Sequence, residues 1–219
     1  MSNIKDVNLD FDRKSRTGLA EAVFCQGKSI SQLRTICDTI VTVEKPMLFT
    51  RLSETQYRQL EESHSDLLSY DEVSGTAFFL SGDSQTSVPV AVVTGGSSDL
   101  SVAREACRTL EFYGHEPLEV HDVGVAGLWR MTERLEELRA CKIIICVAGM
   151  DAALPTVLGG LVSAALIAVP TSVGYGMVKG GEAALHSLLV SCAPGVTVTN
   201  IDNGYGAACA AIRILNSFS

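Results

Sequence analysis

The 219-residue chain carries 17 Lys plus Arg against 25 Asp plus Glu, a formal net charge of −8. With no basic cluster, that balance argues against nucleic acid or an anionic membrane surface as a partner. At 47% apolar, 19% charged and 19 glycines, the composition is that of a loop-rich α/β protein rather than a disordered or fibrous one.

The N-terminus, MSNIKDVNLDFDRKSR, is polar and lacks the apolar core of a signal peptide, so a cytoplasmic protein is expected. Residues 1–87 read as a small α/β domain. Helical spacing covers residues near 29–43 and 53–64, PMLFTRL is a strand candidate, and SYDEVSGTAFFLSGD reads as two short strands or a strand and a turn. The polar SGDSQTS, residues 81–87, reads as a linker.

From residue 88 to 219 the pattern becomes a βα repeat. VPVAVVT, EPLEVHDV, CKIIICVAG, AALIAVPTS and VTVTNID are short β-branched runs, each followed by a loop and a helix-like segment. Leu100, Ala103, Ala106, Cys107 and Leu110 share one helical face, and Leu128, Met131, Leu135 and Leu138 another. Strands this uniformly apolar are buried on both faces, which predicts a parallel sheet between two helical layers. The apolar run ALPTVLGGLVSAALIAVP is broken by Pro155, Gly159 and Gly160, so it reads as core rather than as a membrane span. A ligand is expected at the carboxyl ends of the strands.

Those ends read TGGSSDL, HDVGVAG, AGMDAALP, PTSVGYGMVKGG and NIDNGYGA. In the first, Gly95 and Gly96 allow close backbone approach, and Ser98 can cap a helix whose N-terminal amides suit a phosphate. An ordinary helix start explains that motif equally well. There is no GxGxxG fingerprint, P-loop or GxSxG elbow. Of the four histidines only His121 precedes a glycine-rich strand end, which gives histidine acid–base chemistry thin support. Asp99, Asp122, Asp151 and Asp202 all fall where strands hand over to loops. Such carboxylates can serve Mg²⁺ or proton transfer, or simply cap helices.

The seven cysteines, at 25, 37, 107, 141, 146, 192 and 209, form an odd set with no CxxC or Cys/His metal spacing, and are expected to be free thiols. Cys107, Cys141, Cys146 and Cys209 read as small core residues. Cys192 follows a helix-like run and precedes a Pro-Gly turn. A helix C-terminus disfavours a thiolate, so by pattern alone this cysteine reads as structural.

GGSSDLSVA, DVGVAGL, VAGMDAALPTVLGGLV, AVPTSVGYG and SCAPGVTVTNIDNGYGA together resemble the LarB family, the pyridinium-3,5-biscarboxylic acid mononucleotide synthases of nickel-pincer cofactor biosynthesis. DRKSRTGLAEAVFCQGKS is similar to that family's N-terminal segment. The sister family is PurE, the carboxyaminoimidazole ribonucleotide mutases. The resemblance implies a PurE-like, flavodoxin-like C-terminal domain. PurE sequences carry SAHRTP and AAHLPG loops; here Val125 and Ala126 stand at the His-Arg positions and Ala153 at the second histidine, which makes mutase activity the weaker alternative. Asp151 replaces a glutamate common in LarB.

The LarB resemblance implies carboxylation of nicotinic acid adenine dinucleotide by carbon dioxide or bicarbonate, with hydrolysis of its phosphoanhydride to release AMP. It implies Cys192 as covalent catalyst and Asp151 as base, with Mg²⁺ held by Asp122 and Asp202. Substrate contacts are expected from Gly95, Gly96, Ser98, Asp99, Ser172, Gly174, Tyr175, Lys179 and Asn203, and the assembly is expected to be a symmetric homo-oligomer, an octamer as in PurE relatives. A nucleotide-binding regulatory module without chemistry is the reading of a different class.

Overall fold

The computed structural model describes residues 6–64, 66–82 and 89–217. The chain divides into two compact units, Met1–Asp83 and Ser84–Ser219. Apart from Ser81 and Gly82, the expected linker lies outside the described residues.

In the first unit, a short helix α1 (Arg13–Thr17) precedes β1 (Ala22–Phe24), α2 (Ile30–Val43), β2 (Met47–Thr50), α3 (Glu54–Glu61), β3 (Ser69–Asp71) and β4 (Thr76–Phe79). The sheet order is β1-β2-β4-β3, with β1 and β2 parallel and the other pairs antiparallel. Both longer helices begin at an S-x-x-Q capping box. Ser29 Oγ accepts from the Gln32 N–H at 3.2 Å while Gln32 accepts from the Ser29 N–H at 2.9 Å, and Ser53 and Gln56 repeat the arrangement. Leu33, Ile36, Cys37 and Ile40 form the buried stripe of α2, against Met47 and Phe49 of β2.

The second unit runs β5 (Val90–Thr94), α4 (Leu100–Phe112), β6 (Leu118–Val120), α5 (Leu128–Glu133), α6 (Leu135–Ala140), β7 (Ile143–Ala148), α7 (Ala153–Gly159), β8 (Ala165–Pro170), α8 (Glu182–Leu189), β9 (Thr197–Val198) and α9 (Gly204–Asn216). All five strands are parallel, in the order β6-β5-β7-β8-β9. This is the three-layer flavodoxin-like sheet that the buried strands predict. One of its faces packs Ala91, Val93, Ile144 and Cys146 against Met131, Leu138, Leu154 and Leu158; α4 and α9 cover the other. The apolar run 153–170 divides into α7 and β8, and no helix among the described residues is long and apolar enough to cross a membrane.

Two elements differ from the sequence reading. The stripe from Leu128 to Leu138 is two helices, because Arg134 leaves helical geometry (φ −101°, ψ 3°). The last strand is only Thr197–Val198, because the chain turns at Asn200–Asp202, with Asp202 left-handed at φ 54°.

α4 and α9 meet closely, with small residues at the contact. A Cβ on Gly204 would lie 2.2 Å from the Val102 carbonyl oxygen. Ala103, Ala106, Ala207 and Ala211 are fully buried. Glu105, only 4% exposed, accepts from the Tyr205 N–H at 3.0 Å and so caps α9 from 100 residues away. Its negative charge sits at the positive end of that helix. Replacing Glu105 by Ala is expected to cost about 1–2 kcal/mol, and Gly204→Ala more, because backbone must move. Urea unfolding of the three proteins checks both, and a Gly204→Ala midpoint equal to wild type would contradict the close contact.

Candidate active site

The carboxyl ends of the strands enclose a cavity of about 720 Å³. It lies where the strand order reverses between β5 and β7, the usual ligand position in an open parallel sheet. Its walls come from the loops after β5, β6, β7 and β8: Gly95 and Gly96, then Val125 and Ala126, then Met150 to Leu154, then Val173 to Val178 in part.

Asp99 ties three of these loops together. Thr171 Oγ1, just past β8, donates to its Oδ1 at 2.7 Å, and the Gly96 N–H donates to its Oδ2 at 2.9 Å. The Gly149 N–H, just past β7, is a further donor. Asp99 is 3% exposed yet lines the cavity. Burial raises its pKa above the ordinary value of 3.8, and the three hydrogen bonds only partly offset that.

Asp151 stands at the cavity's lip. Its Oδ1 accepts from the Ala153 N–H at 3.2 Å, starting α7. Its neighbours Met150 (φ 53°) and Ala152 (φ 50°) are both left-handed without being glycine. Two such residues cost on the order of 1 kcal/mol each, and the exposed Asp151 stands between them. Val125, Ala126 and Ala153 all line the cavity, and none of His64, His115, His121 and His186 does. His121 instead meets Glu119 at 2.8 Å.

Residues 89–219 match the family model for AIR carboxylase, and residues 1–80 the model for a LarB/PurE-like N-terminal domain. The chain belongs to the AIR carboxylase family. An uncharacterised protein of Methanocaldococcus jannaschii is 37% identical over 212 residues, spanning 92% of this chain and 80% of that one. The N5-carboxyaminoimidazole ribonucleotide mutase of the same organism is 34% identical over 131 residues, 58% of this chain and 78% of that protein. Among solved structures, Treponema denticola PurE superposes with a TM-score of 0.50 at 26% identity, covering 59% of this chain and 81% of that one.

Of the residues expected to bind substrate, Gly95, Gly96, Ser98, Asp99 and Tyr175 line the cavity with Asp151. Ser172, Gly174, Lys179 and Asn203 are not among its lining residues. Asn203 caps α9, its Oδ1 accepting from the Gly206 N–H at 2.8 Å. The Ser172 N–H donates to Asp202 Oδ1 at 2.8 Å.

Asp122 and Asp202, the residues expected to hold Mg²⁺, each have a protein partner in this structure. Asp122 is anchored over β5, its N–H donating to Thr94 Oγ1 at 2.9 Å, and its carboxylate meets Arg130 Nη1 at 2.5 Å. Asp202 is anchored over β8, its N–H donating to the Pro170 carbonyl at 2.9 Å, and its carboxylate serves Ser172. Among the described residues no cluster of three or more His, Cys, Asp or Glu side chains could hold a metal ion.

Arg130 is the functional candidate that sequence reasoning missed. It is the one basic side chain among the cavity's lining residues. Its signal was a lone cation in the first turn after the glycine-rich HDVGVAG loop, hidden inside a stripe read only for its apolar positions.

Cys192 is the one exposed cysteine of the seven. Burial pushes the Cys25 thiol up to about 12 and those of Cys37 and Cys209 up to about 11, and raises those of Cys107, Cys141 and Cys146 as well. Cys192 is not among the cavity's lining residues. Its neighbour Ser191 meets Thr156 Oγ1 at 2.7 Å, and a Cβ on Gly159 would lie 2.8 Å from the Ala193 Cβ. Cys192 therefore lies toward the far end of α7, whereas Asp151 precedes its near end; the six steps from Ala153 to Gly159 rise roughly 9 Å.

Two outcomes follow. A maleimide applied to the folded protein should label one site, Cys192, and Cys192→Ser should abolish labelling; rapid modification of a second cysteine would contradict the burial pattern. Because folding raises the Asp99 pKa, the stability this carboxyl contributes is full below its unfolded value and is lost as pH rises through the folded one. Asp99→Asn has no such titration, so wild type should lose stability relative to Asp99→Asn as pH rises above about 4. Thermal unfolding of both across that range measures the gap, and a gap that widens in wild type's favour would reverse the assignment.

Proposed function

We propose that the chain carboxylates the pyridinium ring of nicotinic acid adenine dinucleotide and hydrolyses its phosphoanhydride, releasing AMP and pyridinium-3,5-biscarboxylic acid mononucleotide. The observation that carries this reading is the cavity's chemistry. Apolar walls, two carboxylates (Asp99 and Asp151), one guanidinium and no histidine suit a flat cationic ring bearing anionic groups. Family membership supports carboxylation or carboxyl migration as the reaction class.

A pyridinium is too electron-poor to attack carbon dioxide. Addition of the Cys192 thiolate to the ring carbon para to nitrogen forms a C–S bond and makes the ring a neutral enamine. The adjacent carbon then forms a C–C bond to carbon dioxide, and its electron pair comes from the enamine. Asp151 takes the proton from that carbon, and the returning pair expels the thiolate and restores the aromatic ring. Separately, water forms a P–O bond to the phosphorus on the nicotinate ribose, AMP departs with the bridging oxygen, and the water's protons go to solvent. Magnesium belongs in this reading as the counter-ion of the diphosphate itself.

Within one chain Cys192 stands off the cavity, so the reading includes a symmetric assembly in which one copy's Cys192 serves its neighbour's Asp151. Leu189 (63% exposed) and Val190 (78%) beside Cys192, and Tyr175 (80%) and Met177 (79%) at the cavity, offer apolar surface for that contact.

The second reading is carboxyaminoimidazole ribonucleotide mutase, favoured by the 34% identity to the archaeal enzyme of that name. Alanine and valine at the cavity positions where that family carries histidines count against it. Incubation with nicotinic acid adenine dinucleotide, ¹³C-bicarbonate and magnesium should yield AMP and a mononucleotide heavier by one labelled carboxylate. Cys192→Ser should keep fold and dinucleotide affinity but lose carboxylation by more than about 100-fold, since an alcohol is a far poorer nucleophile at neutral pH. Turnover of N5-carboxyaminoimidazole ribonucleotide without any dinucleotide product would select the mutase.

A further inference from the structure

Arg130 is the third residue of α5, and its side chain is 33% exposed where it lines the cavity. Two features hold its guanidinium. Asp122 Oδ2 meets Nη1 at 2.5 Å. On the other side Gly127 leaves the group room: a Cβ there would lie 2.8 Å from Nε and 3.0 Å from Nη2, and the guanidinium would have to shift to admit it. Asp122 is itself held: it is left-handed at φ 56°, and its N–H is bonded to Thr94 Oγ1. A planar guanidinium carries five N–H donors, more than one carboxylate oxygen uses. The remaining donors sit at the edge of a cavity whose other charged side chains, Asp99 and Asp151, are anionic.

We propose that Arg130 is the oxyanion-recognition residue of this cavity and that Asp122 is its positioning residue. The group recognised is a substrate phosphate or ring carboxylate, taken in the side-on, two-bond geometry that arginine shares with both. The carboxylates Asp99 and Asp151 attract the cationic ring, and Arg130 sets which end of the substrate lies toward α5. This assignment rests on the pyridine-nucleotide reading for the ligand's identity, but the geometry alone supports oxyanion binding.

The chain's one tryptophan, Trp129, is the residue before Arg130 and is 63% exposed, so its emission supplies a binding signal that needs no turnover. Calorimetry, with Trp129 emission as second readout, is run on the full chain with four probes. Nicotinic acid mononucleotide carries both anionic groups, nicotinamide mononucleotide only the phosphate, nicotinic acid riboside only the carboxylate, and inorganic pyrophosphate has no ring. Arg130→Ala should weaken nicotinic acid mononucleotide about 10-fold to 100-fold, with Arg130→Lys, which keeps charge without the fork, in between. The single-anion probe that loses affinity identifies the group held.

Asp122→Asn should weaken the same probe less than Arg130→Ala does, and the double variant should be no weaker than Arg130→Ala alone, the non-additivity of a residue that acts through another. Additive losses would remove the positioning role. If wild type binds pyrophosphate through Arg130 but none of the pyridine probes, the inference stands and the carboxylation reading fails. If folded Arg130→Ala and Arg130→Lys bind every probe as wild type does, or wild type binds none of the four, the inference is overturned.

Discussion

The carboxylate of Asp99, buried where β5 gives way to α4, accepts from Thr171 Oγ1 and from the amides of Gly96 and Gly149. Each donor belongs to a different strand-end loop, so one side chain sets the mutual positions of three of the four loops that wall the cavity. A buried carboxylate is costly unless its oxygens are bonded. That cost makes the arrangement specific, because moving any one loop leaves an oxygen without its donor. The parallel sheet supplies the frame. Backbone hydrogen bonds from β6 to β9 fix where each strand ends, and Asp99 fixes what happens one residue beyond.

The charges around the cavity are sorted by role. Asp99 is buried and holds three loops together at the cavity wall, and Asp151 is exposed on a loop with two left-handed neighbours, free of the hydrogen-bond load that Asp99 carries. Asp122 is turned to Arg130 and Asp202 to the Ser172 amide. Four aspartates at four strand ends thus hold four different jobs.

Much of the architecture was legible because the local signals agree with the global fold. Val90–Thr94 and Ile143–Ala148 read as doubly buried strands from composition alone, and helical spacing near 29–43 and 53–64 falls where α2 and α3 stand. The break at Arg134 carries no glycine or proline, so periodicity ran through it. At the site, Gly95, Gly96, Ser98 and Asp99 were legible because a βα turn leaves little choice about where they sit. Arg130 was not, since its place depends on the ion pair with Asp122, which the loop after β6 brings to it. For Cys192, the pattern reads as structural and only the LarB resemblance implies chemistry, while the length of α7 sets the thiol away from its own cavity. Sequence order cannot convey that separation.

The account therefore turns on whether Cys192 and Asp151 act as one site contributed by two copies. Cys192→Ser and Asp151→Asn each remove one half, and co-expression with different affinity tags isolates assemblies containing both. The measurement is carboxylation of nicotinic acid adenine dinucleotide by the doubly tagged fraction, against each variant alone. The expected result is that both single variants are inactive and the mixed assembly recovers part of the wild-type rate. A mixed assembly as inactive as its components, with wild type active beside it, would contradict the shared site.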